Sequence, residues 1–121
     1  MGKTLMHDKS IDFAIRIVKL SQYLCAEHKE FNLSKQLVRS GTSIGAMIRE
    51  SEYAESIADF IHKFSIAQKE CNETMYWLEL LYKTNYLTLP EYTSISQQST
   101  ELLKMLTTTI KTCKSKLPKN N

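Results

Sequence analysis

Proline and glycine are scarce in this chain of 121 residues, which contains two prolines and three glycines. Both residues interrupt or weaken helices, so their scarcity favours long helices over strands joined by tight turns. No apolar run reaches the roughly 18 to 20 residues that a membrane-spanning helix needs. The N-terminal sequence MGKTLMHDKS contains no apolar signal core. We therefore expect a cytoplasmic protein with no membrane partner.

Cysteine motifs are missing as well. The three cysteines, Cys25, Cys71 and Cys113, lie far apart, and none belongs to a Cys-x-x-Cys pair. An odd and dispersed set of cysteines predicts neither a disulfide framework nor a zinc site. We expect reduced thiols that lie within helices and behave as small apolar side chains.

Catalytic motifs are also lacking. A di-iron helical bundle takes Glu-x-x-His from two of its helices, whereas the nearest match here is the single pair Asp59 and His62. The chain has no phosphate-binding glycine loop, nucleophile elbow or Ser/His/Asp order. These absences predict a protein that is not an enzyme and that holds no metal or cofactor.

The charge that is present is unevenly distributed along the chain. Residues 1–49 hold eight Lys and Arg against four Asp and Glu, a balance of +4. Residues 50–101 carry −6 and residues 102–121 carry +5, which leaves a formal net charge of +3. Two basic ends therefore enclose an acidic middle segment.

Residues 57–84 form one uninterrupted helical pattern with two apolar seams. The first seam has heptad spacing, which predicts the core-facing side of a bundle helix. Its members are Phe60, Phe64, Ala67, Cys71, Thr74, Leu78 and Leu81. The second seam lies on another side of the helix and combines large apolar groups with two carboxylates. Its members are Ile66, Glu70, Glu73, Trp77 and Leu80.

Three other helices are predicted, over about residues 10–28, from residue 34 onward, and from residue 88 to a stop at Pro118. The predicted N-caps of the four helices are Ser10, Ser34, Ser56 and Thr88. A loop over residues 40–45 is an alternative to an unbroken second helix, because its small residues have low helix propensity. Four helices with short connections predict a single all-α domain over residues 1–121, an antiparallel up-down-up-down four-helix bundle.

The first predicted helix has a wider apolar arc than a peripheral bundle helix needs. One seam of this arc contains Ile11, Ala14, Val18, Ser21 and Cys25. A second seam beside it contains Phe13, Ile17, Leu20 and Leu24. A single bundle buries one stripe of each helix, so this arc favours contact with something beyond the core of one chain.

Two stretches of the sequence resemble one bacterial family. The first is SKQLVRSGTSIGA, over residues 34–46, and the second begins with DFIHK at residues 59–63 and continues through Tyr76, Trp77 and Leu78. They are similar to the four-helix bundle proteins encoded in intervening sequences of 23S ribosomal RNA genes. Met47, where that family commonly has Asn, is one departure from its pattern. The resemblance implies a homopentamer with no established catalytic activity.

The same family is similar to the accessory variability determinant of diversity-generating retroelements. That relative is a basic pentameric bundle that engages nucleic acid and a reverse transcriptase. By this resemblance, the expected partners are other copies of the chain, RNA or DNA, and a nucleic-acid-processing protein.

The second seam of the long helix predicts a subunit interface. Leaving Ile66, Trp77 and Leu80 in water would forgo roughly 1.5–3 kcal/mol for each side chain. The alternative is that this seam widens the core of a single bundle. Pairing of an arginine of the second helix with a carboxylate of the seam is expected either within or between subunits. The predicted interface residues are Arg39, Arg49, Ile66, Glu70, Glu73, Trp77 and Leu80.

The two basic ends predict a nucleic-acid-binding surface, because the bundle topology brings the start of the first helix beside the end of the fourth. We name it the basic edge, and it comprises Lys3, Lys9, Arg16, Lys19, Lys111, Lys114, Lys116 and Lys119. An alternative is that these residues pair with the acidic turn of a neighbouring subunit, formed by Glu50, Glu52, Glu55 and Asp59. The predicted function is an RNA-associated accessory protein, and the alternative is a structural or protein-interaction module that binds no nucleic acid.

Overall fold

A computed structural model of the protein describes the backbone of residues 2–118 and the side chains of residues 5–118. It contains four helices, α1 (Gly2–His28), α2 (Asn32–Ser51), α3 (Ile57–Lys83) and α4 (Leu89–Lys114). Consecutive helices pack antiparallel, and α4 returns beside α1. The fold is the predicted all-α, up-down-up-down four-helix bundle. In the described part of the chain, no helix is both long and apolar enough to cross a membrane.

The N-caps of α3 and α4 are as predicted. The Ser56 hydroxyl accepts the Asp59 backbone N–H at 3.0 Å. Thr88 and Glu91 form a capping box, in which the Thr88 hydroxyl accepts the Glu91 N–H and the Glu91 carboxylate accepts the Thr88 N–H at 2.8 Å. Hydrogen bonds from the Thr88 backbone and side chain to this carboxylate lower the pKa of Glu91.

The predicted N-caps of α1 and α2 are wrong. α1 begins at Gly2, so Ser10 is buried inside the helix, where its hydroxyl donates to the His7 carbonyl at 2.8 Å. α2 begins at Asn32, and Ser34 is buried against α1, where its hydroxyl contacts that of Ser21. A small hydroxyl side chain suits a cap, but it also fits a close helix contact when a nearby carbonyl or hydroxyl satisfies it.

The core is built from one side of each helix. On α3, the first predicted seam is buried from Phe64 to Leu81, and Phe60 is half-buried. On α1, Phe13, Ile17 and Leu24 are fully buried. The other predicted seam of α1 divides between two environments. Its C-terminal members Ser21 and Cys25 lie against Ser34 of α2, whereas Ile11 and Val18 are exposed.

Buried polar groups in the core are paired across helices. The Thr74 hydroxyl of α3 donates to the Ser40 hydroxyl of α2 at 2.9 Å. The Cys71 thiol of α3 lies 3.3 Å from the Ser99 carbonyl of α4, and burial raises the pKa of Cys71 to about 12. The thiol is therefore protonated at neutral pH, as expected for a structural cysteine.

α1 and α2 approach closely where α2 carries its glycines. Residues 40–45 are helical, so the loop alternative does not apply. A Cβ atom on Gly41 would lie 2.9 Å from both Cγ atoms of Ile17, a distance that real Cβ atoms do not tolerate. At Gly45 the corresponding Cβ would lie 3.3 Å from the Ser10 hydroxyl oxygen, which is tight but less severe. Gly41 is thus needed for the α1–α2 contact.

We predict that Gly41→Ala destabilises the protein by about 1–3 kcal/mol, because the added methyl group meets a fully buried isoleucine. This cost exceeds the gain in helix propensity, which is about 1 kcal/mol. Gly45→Ala is the matched control and should change stability less, because its neighbour is a small serine. Urea denaturation monitored by circular dichroism measures both. A Gly41→Ala variant as stable as the wild type would contradict the packing.

Candidate functional site

The predicted interface seam of α3 lies on the side of the helix that packs against α2. Arg39 of α2 reaches this seam, with Nη1 3.1 Å from Glu70 Oε2 and Nη2 in contact with Glu73 Oε2. Both ion pairs form within one chain, which is one of the two arrangements expected from the sequence. The Arg39 side chain is 48% exposed, so each pair contributes modestly to stability.

Trp77 extends the same network into the core. Its indole N–H donates to Glu73 Oε2 at 3.0 Å, and its ring is half-buried against the hydrophobic core. Ile66 and Leu80 are half-buried at either end of the seam. Packing of α2 on α3 therefore covers part of this seam within one chain. Contact of the remaining surface with another copy stays a prediction.

The second predicted interface arginine has a different partner. Arg49 Nη2 lies 2.7 Å from Nε2 of His7, which belongs to α1. The other ring nitrogen of His7 lies 3.6 Å from the Asp8 carboxylate. Arg39 therefore ties α2 to α3, and Arg49 ties α2 to α1. Neither Glu70 nor Glu73 contacts Arg49.

α1 carries an exposed apolar stripe, which we name the α1 stripe and which is formed by Ile11, Ile15 and Val18. These side chains are 40%, 49% and 37% exposed, respectively. They recur at i, i+4 and i+7, so they share one side of the helix, away from the buried Phe13 and Ile17. Ile15 belonged to neither predicted seam, although its spacing from Ile11 and Val18 indicates the same side.

The basic edge divides into paired and unpaired residues. Lys9 Nζ binds Glu101 Oε1 at 2.9 Å. Arg16 donates to Gln98 Oε1 at 2.6 Å and to the Ser94 hydroxyl at 2.8 Å. These two residues therefore bridge α1 to α4. The Lys3 side chain and Lys119 lie outside the described residues.

The remaining predicted residues of the basic edge are exposed. Within residues 5–118, no carboxylate lies within ion-pair distance of Lys19, Lys111, Lys114 or Lys116. Lys104, which is not among the predicted residues of the basic edge, is also exposed and lies seven residues before Lys111 on the same outer side of α4. The spacing of seven residues between Lys104 and Lys111 is the sequence pattern that indicates that Lys104 belongs with this lysine. We name the exposed set on and after α4 the α4 lysine group, which consists of Lys104, Lys111, Lys114 and Lys116.

The acidic turn lies near the end of the α4 lysine group, as the bundle topology predicts. Lys116 and Glu52 line one cavity of about 400 Å³ between the α2–α3 connection and the end of α4. One member of the acidic turn is paired within the chain, because Glu50 Oε1 lies 3.5 Å from Lys63 Nζ. In the part of the chain with described side chains, no group of three or more His, Cys, Asp and Glu residues could hold a metal ion.

We predict that Arg39 and Glu73 are energetically coupled by about 0.5–1 kcal/mol in a double-mutant cycle of alanine variants. The coupling should exceed that of Glu79 and Lys83, an i, i+4 pair on α3, because both of those side chains are more exposed than Arg39 and Glu73, and because the Trp77 indole holds the Glu73 carboxylate in position. Urea denaturation at a fixed protein concentration measures both cycles. Equal coupling in the two pairs would contradict a shared network.

Sedimentation of Glu73→Ala tests the predicted subunit interface separately. An unchanged oligomeric mass would show that the Glu73 carboxylate makes no essential subunit contact.

Comparison with known proteins places the chain in a family. The model of the 23S rRNA-intervening sequence protein family matches residues 3–108. Among solved structures, the chain is similar to a protein with unknown function from the S23 ribosomal protein family of Bacteroides thetaiotaomicron VPI-5482. The two are 57% identical over 92% of this chain and 99% of that chain, with a TM-score of 0.90. No curated protein matches. The chain belongs to the 23S rRNA-intervening sequence protein family.

Proposed function

We propose that the protein is a non-enzymatic, homo-oligomeric accessory bundle of the cytoplasm that associates with RNA. The observation that carries the proposal is the α1 stripe. Three β-branched side chains, Ile11, Ile15 and Val18, stand about half in water on one helix face. Burying a whole side chain of this size contributes about 1.5–3 kcal/mol, so covering the exposed fractions of these three contributes about 2–4 kcal/mol per copy.

A second copy of the chain is the proposed cover for this face. A stable interface buries at least about 1,000 Å², more than one stripe provides, so the contact extends beyond α1. The half-buried Ile66 and Leu80 at the ends of the α3 seam offer apolar surface on the diagonally opposite helix. Contact between two different surfaces of one chain is heterologous, and it closes into a ring when the rotation between copies allows. Five copies are expected from the family resemblance.

The α4 lysine group supports RNA as the partner of this assembly. Its lysines are exposed and carry charge that no described carboxylate neutralises at ion-pair distance. Lysines bind phosphates through electrostatic contacts that release counterions. A ring repeats the group in every copy, so a strand that reaches two copies binds with higher effective affinity. A nucleic-acid-processing protein is a further partner expected from the resemblance.

A structural or protein-interaction module without nucleic acid is the second candidate. It is favoured by Lys9, because this residue lies on the predicted basic edge but forms an ion pair with Glu101 within the chain. The two functions differ in a measurable property. RNA association requires binding whose affinity falls steeply with salt, whereas the second candidate requires only self-assembly.

We predict that Ile15→Asp lowers the oligomeric mass, because it places a charge at the centre of the proposed contact. Leu89→Asp is the matched control, since Leu89 is 58% exposed and begins α4, where an acidic residue suits the helix N-terminus. Sedimentation velocity measures the mass, and circular dichroism checks that both variants are folded. A wild-type protein that sediments as one copy at high concentration would refute the assembly.

We predict that replacing Lys111, Lys114 and Lys116 with Gln weakens RNA binding. If each lysine contacts one phosphate of a single strand, the slope of log affinity against log salt falls by about 2. The control replaces Lys35, Lys69 and Lys83, three exposed lysines on α2 and α3, with the same change in net charge. Electrophoretic shifts at several salt concentrations measure both slopes. Absence of any wild-type shift at low salt would refute the RNA role and leave the second candidate.

A further inference from the structure

α1 and α4 approach each other less closely than any other pair of neighbouring helices. Between them lies an open groove of about 310 Å³, which is near the lower end of the range for small-ligand sites. Its apolar lining includes Leu87 and Ile95, which are only 6% and 3% exposed. Its polar lining comprises Arg16, Lys19, Tyr23 and Glu91. A groove with a packed apolar floor and several charged groups has the features of a binding site.

Tyr23 presents an aromatic ring beside this floor. Its side chain is 45% exposed, yet its position is fixed by His28 at the end of α1. The His28 Nε2 atom lies 3.2 Å from the Tyr23 hydroxyl, and the two rings meet edge to face with centroids 5.3 Å apart. His28 packs in turn on Tyr86, with centroids 5.5 Å apart. A ring that is both exposed and held in place is suited to stacking on a planar ligand.

The charges of the groove are arranged with cations on α1 and one acid on α4. Arg16 is oriented by Gln98 and Ser94, which are neutral, so its charge is not neutralised by these contacts. Its guanidinium has five N–H donors, and these contacts leave others for a ligand. Lys19 is exposed beside it. The Glu91 carboxylate is anchored by the Thr88 N–H at 2.8 Å and the Thr88 hydroxyl at 2.9 Å.

We propose that this groove binds a nucleoside 5′-phosphate, with the base on Tyr23, the phosphate on Arg16 and Lys19, and a ribose hydroxyl donating to Glu91. An aromatic platform binds the face of any base, and Arg matches a phosphate in a bidentate manner. A carboxylate is a common acceptor for ribose hydroxyls. Inorganic phosphate would contact only the two cations, and an apolar molecule would contact only the apolar floor. A nucleotide would contact the cations, the aromatic ring and the carboxylate together.

Two sources of ligand present this chemistry, a free nucleotide and an unpaired nucleotide within an RNA strand. The inference goes beyond the proposed function, because none of the α4 lysine group lines this groove. It also gives Arg16 and Lys19, which lie on the predicted basic edge, a specific role. The two sources are distinguished by the experiment rather than by the groove itself.

Equilibrium dialysis of the full chain against labelled AMP tests the inference, with adenosine, inorganic phosphate and an unpaired oligoadenylate as competitors. Tyr23→Leu should weaken AMP binding about tenfold, because it removes the stacking surface. Tyr76→Leu is the matched control, since Tyr76 is a 57% exposed tyrosine on α3, away from the groove. Arg16→Gln should weaken AMP binding but not adenosine binding, and Lys69→Gln should affect neither.

Each outcome bears on the proposal. AMP binding that depends on Tyr23 and Arg16 shows that a free nucleotide suffices. Oligoadenylate binding that depends on both residues, without AMP binding, assigns the groove to a nucleotide of an RNA strand. The proposal is overturned if neither ligand responds to Tyr23→Leu more than to its control, or if inorganic phosphate competes as well as AMP. Variants of the α4 lysine group test the RNA role separately, because they should leave AMP binding unchanged.

Discussion

The close contact of α1 with α2 at Gly41 determines much of the molecular surface. Because Gly41 has no side chain, the fully buried Ile17 can lie against the α2 backbone. Small residues continue this contact at Gly45 and Ser34, which meet Ser10 and Ser21. α1 is thereby drawn toward α2 and lies less close to α4. One consequence is the groove between α1 and α4, which long polar side chains bridge in place of apolar packing.

The distribution of ion pairs explains which charges remain available for a partner. The acidic middle segment of the sequence is largely on α3 and in its flanking turns, and it neutralises cations from neighbouring helices. Glu70 and Glu73 bind Arg39, and Glu50 binds Lys63. α4 has no Asp or Glu after Glu101, which binds Lys9, so its later lysines have no such partner nearby in sequence. A modest net charge therefore coexists with a local excess of positive charge.

The fold could be predicted from the sequence because helix periodicity and local caps report on short stretches of chain. The heptad seam of α3 and the Thr88–Glu91 capping box each occupy a few residues, and both are present. Ser10 and Ser34 were assigned wrongly because a serine before an apolar pattern has the same local appearance as a serine at a helix contact. Which arginine of α2 pairs with Glu70 and Glu73 could not be predicted, because the answer depends on which side of α2 faces α3. The structure shows that it is Arg39. The fixed position of Tyr23 could not be recognised, because its neighbour His28 packs on Tyr86 only where the end of α1 meets the α3–α4 connection.

The groove and Lys104, one member of the α4 lysine group, can serve one ligand because both border the junction of α1 with α4. A second cavity of about 320 Å³ lies farther along this junction and is lined by Met6, Lys104 and Met105, among others. Lys104 thus belongs to both the lysine group and the junction. The ion pair of Lys9 with Glu101 bridges the junction between the two cavities, and it is exposed enough to exchange partners at little cost. A nucleic-acid strand following this junction would need Lys9 to turn from Glu101 to a phosphate, a change confined to exposed side chains that leaves the buried core in place.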